Sequence, residues 1–232
     1  MAVDLKFDSC NCMGYNKSKD VFIRNLLAQC DLLFLQEHWL ADSQLHLLSS
    51  ICNNFTSVGV SGFGNDDVLS VRPYGGCSVL WPKNITSKIT VIESGSGRIC
   101  AVLINAAANP NLLCRNVYFP RESCDVNMDE FQFQLAIITD IIERHPDCEI
   151  VVILMLIFLK IRIIHYCEMT CEKKHLFPLV KHPANTVDYT YQFSMSPFHV
   201  LDHFIVSGTL LRRLYKVLIF RILLTICLTM TH

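Results

Sequence analysis

The stretch that most constrains this chain is Leu32-Leu33-Phe34-Leu35, followed at once by Gln36-Glu37-His38-Trp39. An apolar run this short, with no alternation, suits a strand covered on both faces. Strands of that kind belong to α/β architectures, which place their chemistry beyond the carboxyl ends of the strands. Glu37 stands at that end. Taken singly, a Glu after a strand is an ordinary solvated strand end, so its meaning depends on what else the chain brings to the same edge.

Residues 1–150 alternate between strand-like and helix-like patterns. Residues 5–10 read as a first strand that ends at Asn11, with turn residues Gly14 and Asn16 behind it. A helical segment then runs from about Lys17 to Gln29, with Val21, Ile23, Leu26 and Leu27 as its apolar face. Asp42 or Ser43 caps a second helix covering Leu45, Leu47 and Leu48. Strands are expected over 77–81, 86–92, 99–104 and 112–119. Asn127 or Asp129 then caps a helix through Arg144, with Phe131, Leu135, Ile138 and Ile142 at helical spacing, and His145-Pro146-Asp147 stops it. A chain of 232 residues with 51% hydrophobic content can bury a full core as one domain. The mixture of hairpins and crossover helices predicts two packed sheets with helices outside, a two-sheet α/β sandwich.

The motifs fall in a telling order. Asn11 ends the first strand and Glu37 follows the second. Tyr74-Gly75-Gly76-Cys77-Ser78-Val79-Leu80-Trp81, Asn116-Val117-Tyr118-Phe119-Pro120 and Val200-Leu201-Asp202-His203-Phe204 come later. This series resembles the endonuclease/exonuclease/phosphatase family, and most closely the endonuclease domain of non-LTR retrotransposons. The resemblance spans roughly residues 5–210. It implies metal-assisted phosphodiester hydrolysis of DNA, with Mg²⁺ as the cofactor, because that ion keeps much of its water shell and meets phosphate oxygens directly. By the same resemblance Glu37 is the metal-ligand Glu, and Asn11 helps order the metal and phosphate. Tyr118 contacts the scissile phosphate and Asp202 shapes the site. Singly, Tyr118 reads equally as a core aromatic and Asp202 as a strand-end acid; the ordered set carries the assignment.

Two family motifs are missing. The family's Gly-Asp-x-Asn, which holds the attacking water, falls where this chain reads Ile153-Leu154-Met155-Leu156-Ile157-Phe158. Aliphatic side chains hold neither water nor metal. If Leu154 ends in G and Leu156 is TTA, reading two bases on through Leu154-Met155-Leu156-Ile157 gives Asp-Val-Asn. A frameshift or a shifted splice over the aberrant segment 153–175 accounts for that. The family's terminal Ser-Asp-His is also absent, and Asp202-His203 is not it, because it follows an earlier strand. The resemblance therefore describes a degenerate copy: a domain over 1–210, incomplete at its C-terminus, followed by a divergent apolar tail over 211–232. The expected function is an impaired Mg-dependent DNA hydrolase of a retroelement. The alternative is a catalytically dead remnant that binds nucleic acid or protein.

The remaining features exclude more than they assign. A formal charge of -1 gives no global footprint for nucleic acid, so a DNA surface has to be local, drawn from Lys83, Lys88, Arg98 and Arg121. The twelve cysteines would suggest disulfides in a small secreted protein. Here the N-terminus lacks an apolar signal core, so a reducing intracellular compartment, nuclear or cytoplasmic, is expected, with thiols as small buried hydrophobes. Asn54-Phe55-Thr56 and Asn84-Ile85-Thr86 match the glycosylation pattern without that context. The apolar runs 150–159 and 222–230 are too short to span a membrane. His165, Cys167, Cys171 and His175 lack the usual zinc spacing. No small-molecule cofactor is implied, and the oligomeric state is not legible.

Overall fold

The computed structural model describes residues 3–63, 74–105, 110–119, 126–155, 176–178, 191–193, 196–199, 202–207, 214–220 and 223–230. The strands are β1 (Val3–Asn11), β2 (Leu32–Gln36), β3 (Phe55–Val60), β4 (Cys77–Pro82), β5 (Ile89–Ile92), β6 (Ile99–Ile104), β7 (Leu112–Tyr118), β8 (Glu149–Met155), β9 (Leu176–Pro178), β10 (Tyr191–Phe193), β11 (Ser196–His199), β12 (Asp202–Ser207), β13 (Leu214–Phe220) and β14 (Leu223–Met230). The helices are α1 (Asp20–Leu27), α2 (His46–Ser50) and α3 (Val126–Glu143).

Two mixed sheets form. One has the order β13-β14-β1-β2-β4-β3 and the other β5-β6-β7-β8-β12-β9, with β10-β11 as a separate pair. The pairs β1–β2 and β7–β8 are parallel. They enclose α1 and α3 as crossovers, so the carboxyl ends of β1, β2, β7 and β8 can gather at one edge of the sandwich.

The run Leu32-Leu33-Phe34-Leu35 lacks alternation because both of its faces are covered. Leu32 and Phe34 enter the core between the sheets with Phe7, Val79, Val102, Cys114, Val151 and Ile153. Leu33 and Leu35 point the other way, under α1 and α2, against Ile23, Leu26, Leu27, Leu48 and Ile51. All four are 0% exposed, and each contributes roughly 1.5–3 kcal/mol by leaving water. A third cluster packs α3, through Phe131, Leu135, Ile138, Ile141 and Ile142, onto Leu113, Val117, Ile150 and Val152 of β7 and β8.

Several boundaries differ from the sequence expectation. The segment 86–92 is strand only from Ile89, because Lys83–Lys88 coil into a 3-10 turn that holds Asn84. The first helix begins as a 3-10 turn over Lys17–Lys19, capped by the Asn16 side chain, and becomes α-helical at Asp20. The second helix shrinks to His46–Ser50 behind a 3-10 turn at Asp42–Gln44. β3 has no counterpart in the sequence reading, since Phe55-Thr56-Ser57-Val58-Gly59-Val60 is neither alternating nor fully apolar and is half-buried throughout. The segment 211–232, set apart by sequence as a tail, supplies β13 and β14, and β14 runs antiparallel to β1 from Val3↔Met230 to Cys10↔Leu223. No helix among the described residues is long and apolar enough to cross a membrane.

Candidate active site

At the carboxyl edge of the first sheet, Asn11 and Gln36 are register partners on β1 and β2, and Gln36 is opposite Cys77 at the start of β4. The chain leaves β2 into Glu37 with φ 52°, and Trp39 has φ 58°. The loop after β1 turns back through Met13, at φ 45°, and Gly14. Left-handed backbone at non-glycine residues is uncommon. Among the described residues only these three adopt it, all in two loops at this edge. Such strain persists where the surroundings over-determine it, often at functional sites.

The surroundings here are backbone bonds between loops. Cys12 N–H donates to Gln36 O at 2.9 Å, Gly14 N–H to Glu37 O at 2.7 Å, Tyr15 N–H to His38 O at 2.8 Å, and Trp39 N–H to Gly75 O at 3.1 Å. Asn11 Oδ1 accepts Met13 N–H at 2.9 Å. Lys19 Nζ donates to the carbonyls of Cys12, Met13 and Gly14 at 2.5, 3.1 and 2.6 Å. Gly76 has to be glycine: its φ is 82°, and a Cβ there would lie 2.7 Å from His38 Nδ1.

The second sheet contributes a row. Tyr118 on β7 is the register partner of Met155 on β8, and Met155 is the partner of Asp202 on β12. Tyr118 reaches across to the first sheet, where its hydroxyl hydrogen-bonds the Glu37 carboxylate. Burial first, and the Glu37 charge second, push the phenol above its ordinary range, so Tyr118 stays protonated and donates.

The predicted residues therefore divide as follows. Glu37 and Tyr118 meet directly, and Asn11 stands beside them on the neighbouring strand. Asp202 lies at the same edge, two strands from Tyr118 and so about 10 Å away along the sheet; its side chain is outside the described residues. Between Tyr118 and Asp202, where a carboxylate would complete the row, the chain has Met155. Leu156, Ile157, Phe158, Arg121, Pro120 and the cluster His165, Cys167, Cys171 and His175 also lie outside the described residues.

Among the described residues, the expected basic set Lys83, Lys88 and Arg98 is divided between the two ends of β4. β4 runs away from the edge, so Lys83 and Lys88 follow its far end, whereas Arg98 lies over the Tyr118 ring with its guanidinium carbon 5.6 Å from the centroid. A groove of about 640 Å³ flanks the edge between β3 and the β5–β6 hairpin. Its lining includes Asp42 and Glu93 but no Lys or Arg, which suits a phosphate backbone poorly.

Sequence reasoning missed the support behind Glu37. Gln36 and Asn116, both 0% exposed, join the sheets. Gln36 Nε2 donates to Asn116 Oδ1 at 2.6 Å and to Ser9 Oγ at 2.9 Å. Asn116 Nδ2 donates to Leu35 O at 2.8 Å and Ser78 O at 2.9 Å. Polar residues inside the runs Leu35-Gln36 and Arg115-Asn116-Val117 were the available signal, since a buried amide persists only where partners satisfy it. Next to them, His38 is fully buried and its Nδ1 accepts Leu40 N–H at 3.1 Å. Desolvation holds its pKa down at about 4, so the ring is neutral near pH 7.

Two mixed sheets with outer helices form the α/β sandwich of endonuclease/exonuclease/phosphatase-fold proteins. The chain superposes on an AP endonuclease from Leishmania major with a TM-score of 0.73 at 11% identity, covering 99% of this chain and 88% of that one. It also matches the 3′ phosphatase NExo from Neisseria bound to a product DNA hairpin, with a TM-score of 0.68, 15% identity, and 98% and 100% of the two chains covered. For the human Nocturnin catalytic domain with bound sulfate the TM-score is 0.65 at 14% identity, covering 100% of this chain and 97% of that one. At these identities the likeness is one of fold. No protein-family model and no curated protein matches the sequence.

Proposed function

We propose that this chain is a degenerate nucleic-acid phosphodiester hydrolase of retroelement origin, with the scissile phosphate received between Glu37 and Tyr118 and with turnover impaired. The reading rests above all on the row Tyr118–Met155–Asp202, in which methionine holds the central register position, together with the Glu37–Tyr118 hydrogen bond. A neutral Tyr118 donates a hydrogen bond to an anion; Glu37 accepts from Tyr118 and competes with that anion for the same proton. Solved structures of the same fold include an AP endonuclease and a 3′ phosphatase with DNA, which supports DNA as the substrate class.

Mg²⁺ fits this edge poorly. Among the described side chains, the oxygen donors to hand are the carboxylate of Glu37 and the amide of Asn11, whose Oδ1 already accepts Met13 N–H. No group of three or more His, Cys, Asp or Glu side chains that could hold a metal occurs among the described residues. A soft thioether at 155 adds nothing for a hard cation that demands octahedral oxygen ligation.

The test is nicking of supercoiled plasmid by purified protein in Mg²⁺, beside Glu37→Gln. Nicking near background in both supports the reading, and robust nicking abolished by Glu37→Gln overturns the impaired turnover. A wholly dead binding remnant is the second reading, favoured by the missing Gly-Asp-x-Asn and Ser-Asp-His motifs. It predicts that Glu37→Gln alters neither nicking nor DNA affinity. Sequencing the locus tests the retroelement frameshift, which fails if no frame over 153–175 encodes Asp-x-Asn.

A further inference from the structure

Arg98 is tied to the candidate site more closely than its sequence context suggests. Tyr118 N–H donates to Arg98 O at 3.0 Å, and Cys77 Sγ approaches the same carbonyl at 3.5 Å. Arg98 N–H donates to Ser96 Oγ at 3.0 Å. The guanidinium lies over the Tyr118 ring and places Nε 3.3 Å from Glu130 Oε1 on α3.

That oxygen also accepts Gln134 Nε2 at 2.7 Å, and Gln134 Oε1 accepts the Ser96 hydroxyl at 2.6 Å. The four residues form a closed ring, anchored by Gln134, which is 3% exposed. Yet the ion pair itself is weak. Its printed contact is long for a charged hydrogen bond, 3.3 Å, and the Glu130 side chain is 40% exposed against 19% for Arg98. The closest approach to that carboxylate is through Nε, with Nη1 and Nη2 the terminal donors of the guanidinium. A planar fork held over an aromatic ring and paired with a solvent-exposed carboxylate is preorganised for bidentate binding of a tetrahedral oxyanion.

We propose that Arg98 is a phosphate-receiving residue and that Glu130 is its exchangeable counter-ion, holding the guanidinium over Tyr118 until a phosphate takes the carboxylate's place. The inference deepens the reading of this edge as a phosphodiester site. Glu130 lowers the affinity by competing for the same cation, and the Ser96–Gln134 arm keeps the backbone of Arg98 fixed while the side chain changes partner.

Binding of inorganic phosphate, measured by calorimetry at low salt without metal, tests it. Glu130→Gln should bind phosphate about threefold more tightly, the size expected for removing an exposed ion pair. Arg98→Gln should bind about tenfold more weakly, as for loss of a hydrogen-bonded charge. Arg98→Lys keeps the charge without the fork and should fall between Arg98→Gln and the native chain. Raised salt should shrink the Glu130→Gln gain. If Arg98→Gln fails to fold by circular dichroism, Glu130→Gln and Arg98→Lys decide. Unchanged affinity in Glu130→Gln, or native affinity in either Arg98 variant, overturns the proposal. Phosphate binding that follows this pattern in a chain with no DNA affinity would overturn the nucleic-acid reading and leave this inference standing.

Discussion

His38 shows how a single residue beside the candidate site sets a condition on the whole fold. Its pKa is held at about 4, below the ordinary 6.5, because burial penalises the imidazolium. The unfolded chain therefore takes up a proton between those two values that the folded chain refuses. Stability from this group is complete above about pH 6.5 and is lost as pH falls towards 4, with no further loss from it below that. The loss amounts to roughly 3 kcal/mol at about 1.4 kcal/mol per pKa unit. Urea midpoints at pH 7 and pH 4 check this: in His38→Gln the acid loss should be smaller than in the native chain by about that amount. An equal loss in both would place the acid sensitivity elsewhere. Asn116 makes a second residue-scale case. Asn116→Leu would leave Gln36 Nε2 with Ser9 Oγ alone and take the amide from the carbonyls of Leu35 and Ser78 in the core, at a cost of roughly 3 kcal/mol. Chemical denaturation reads that directly, and a cost under about 1 kcal/mol would mean that water replaces the amide.

At the scale of elements, the tail strands carry the sharpest expectation. β14 pairs with β1 from Val3 to Cys10, so a chain ending at 210 would leave that edge of β1 open beside the core residue Phe7. A long, open edge strand invites intermolecular pairing. The truncated chain should melt earlier and elute as higher-order species in size-exclusion chromatography; a monomer with the native melting midpoint would show that β13 and β14 are dispensable. These strands also mark where sequence reading stops. β2, β4, β6, β7 and α3 were legible because each is an apolar run, or a run at helical spacing, bounded by turn residues. β13 and β14 are just as apolar, but their partner lies more than two hundred residues away, and nothing local distinguishes a closing hairpin from a loose tail. β3 was invisible for the opposite reason, since no face of it is fully buried. In the site, Glu37 and Tyr118 were legible as an ordered pair of motifs. The Gln36–Asn116 bridge and the Arg98–Glu130 contact were not, because side-chain pairs between distant elements leave no periodic trace.

For the molecule as a whole, the sandwich does not depend on the chemistry proposed for its edge. β8 keeps its central place because Ile150, Val151, Val152 and Ile153 are covered on both faces, and that demands apolar residues and nothing more. The proposed loss lies one step later, where Met155 pairs with Tyr118 on one side and Asp202 on the other. On the proposed reading the fold persists while its site decays, since packing tests the strand and catalysis tests the residue after it. The double variant Met155→Asp, Ile157→Asn separates the two. It adds a carboxylate to the Tyr118–Asp202 row and should tighten Mg²⁺ binding, read by calorimetry, from millimolar or weaker. Plasmid nicking should rise over the native chain but stay far below that of an intact enzyme, because no terminal Ser-Asp-His is restored and removing one such group commonly costs orders of magnitude in rate. Tighter Mg²⁺ without any gain in nicking would place the whole defect in the missing histidine. No change in Mg²⁺ binding would mean that position 155 does not face the ion, and the alignment of this row with the family's metal site would fall.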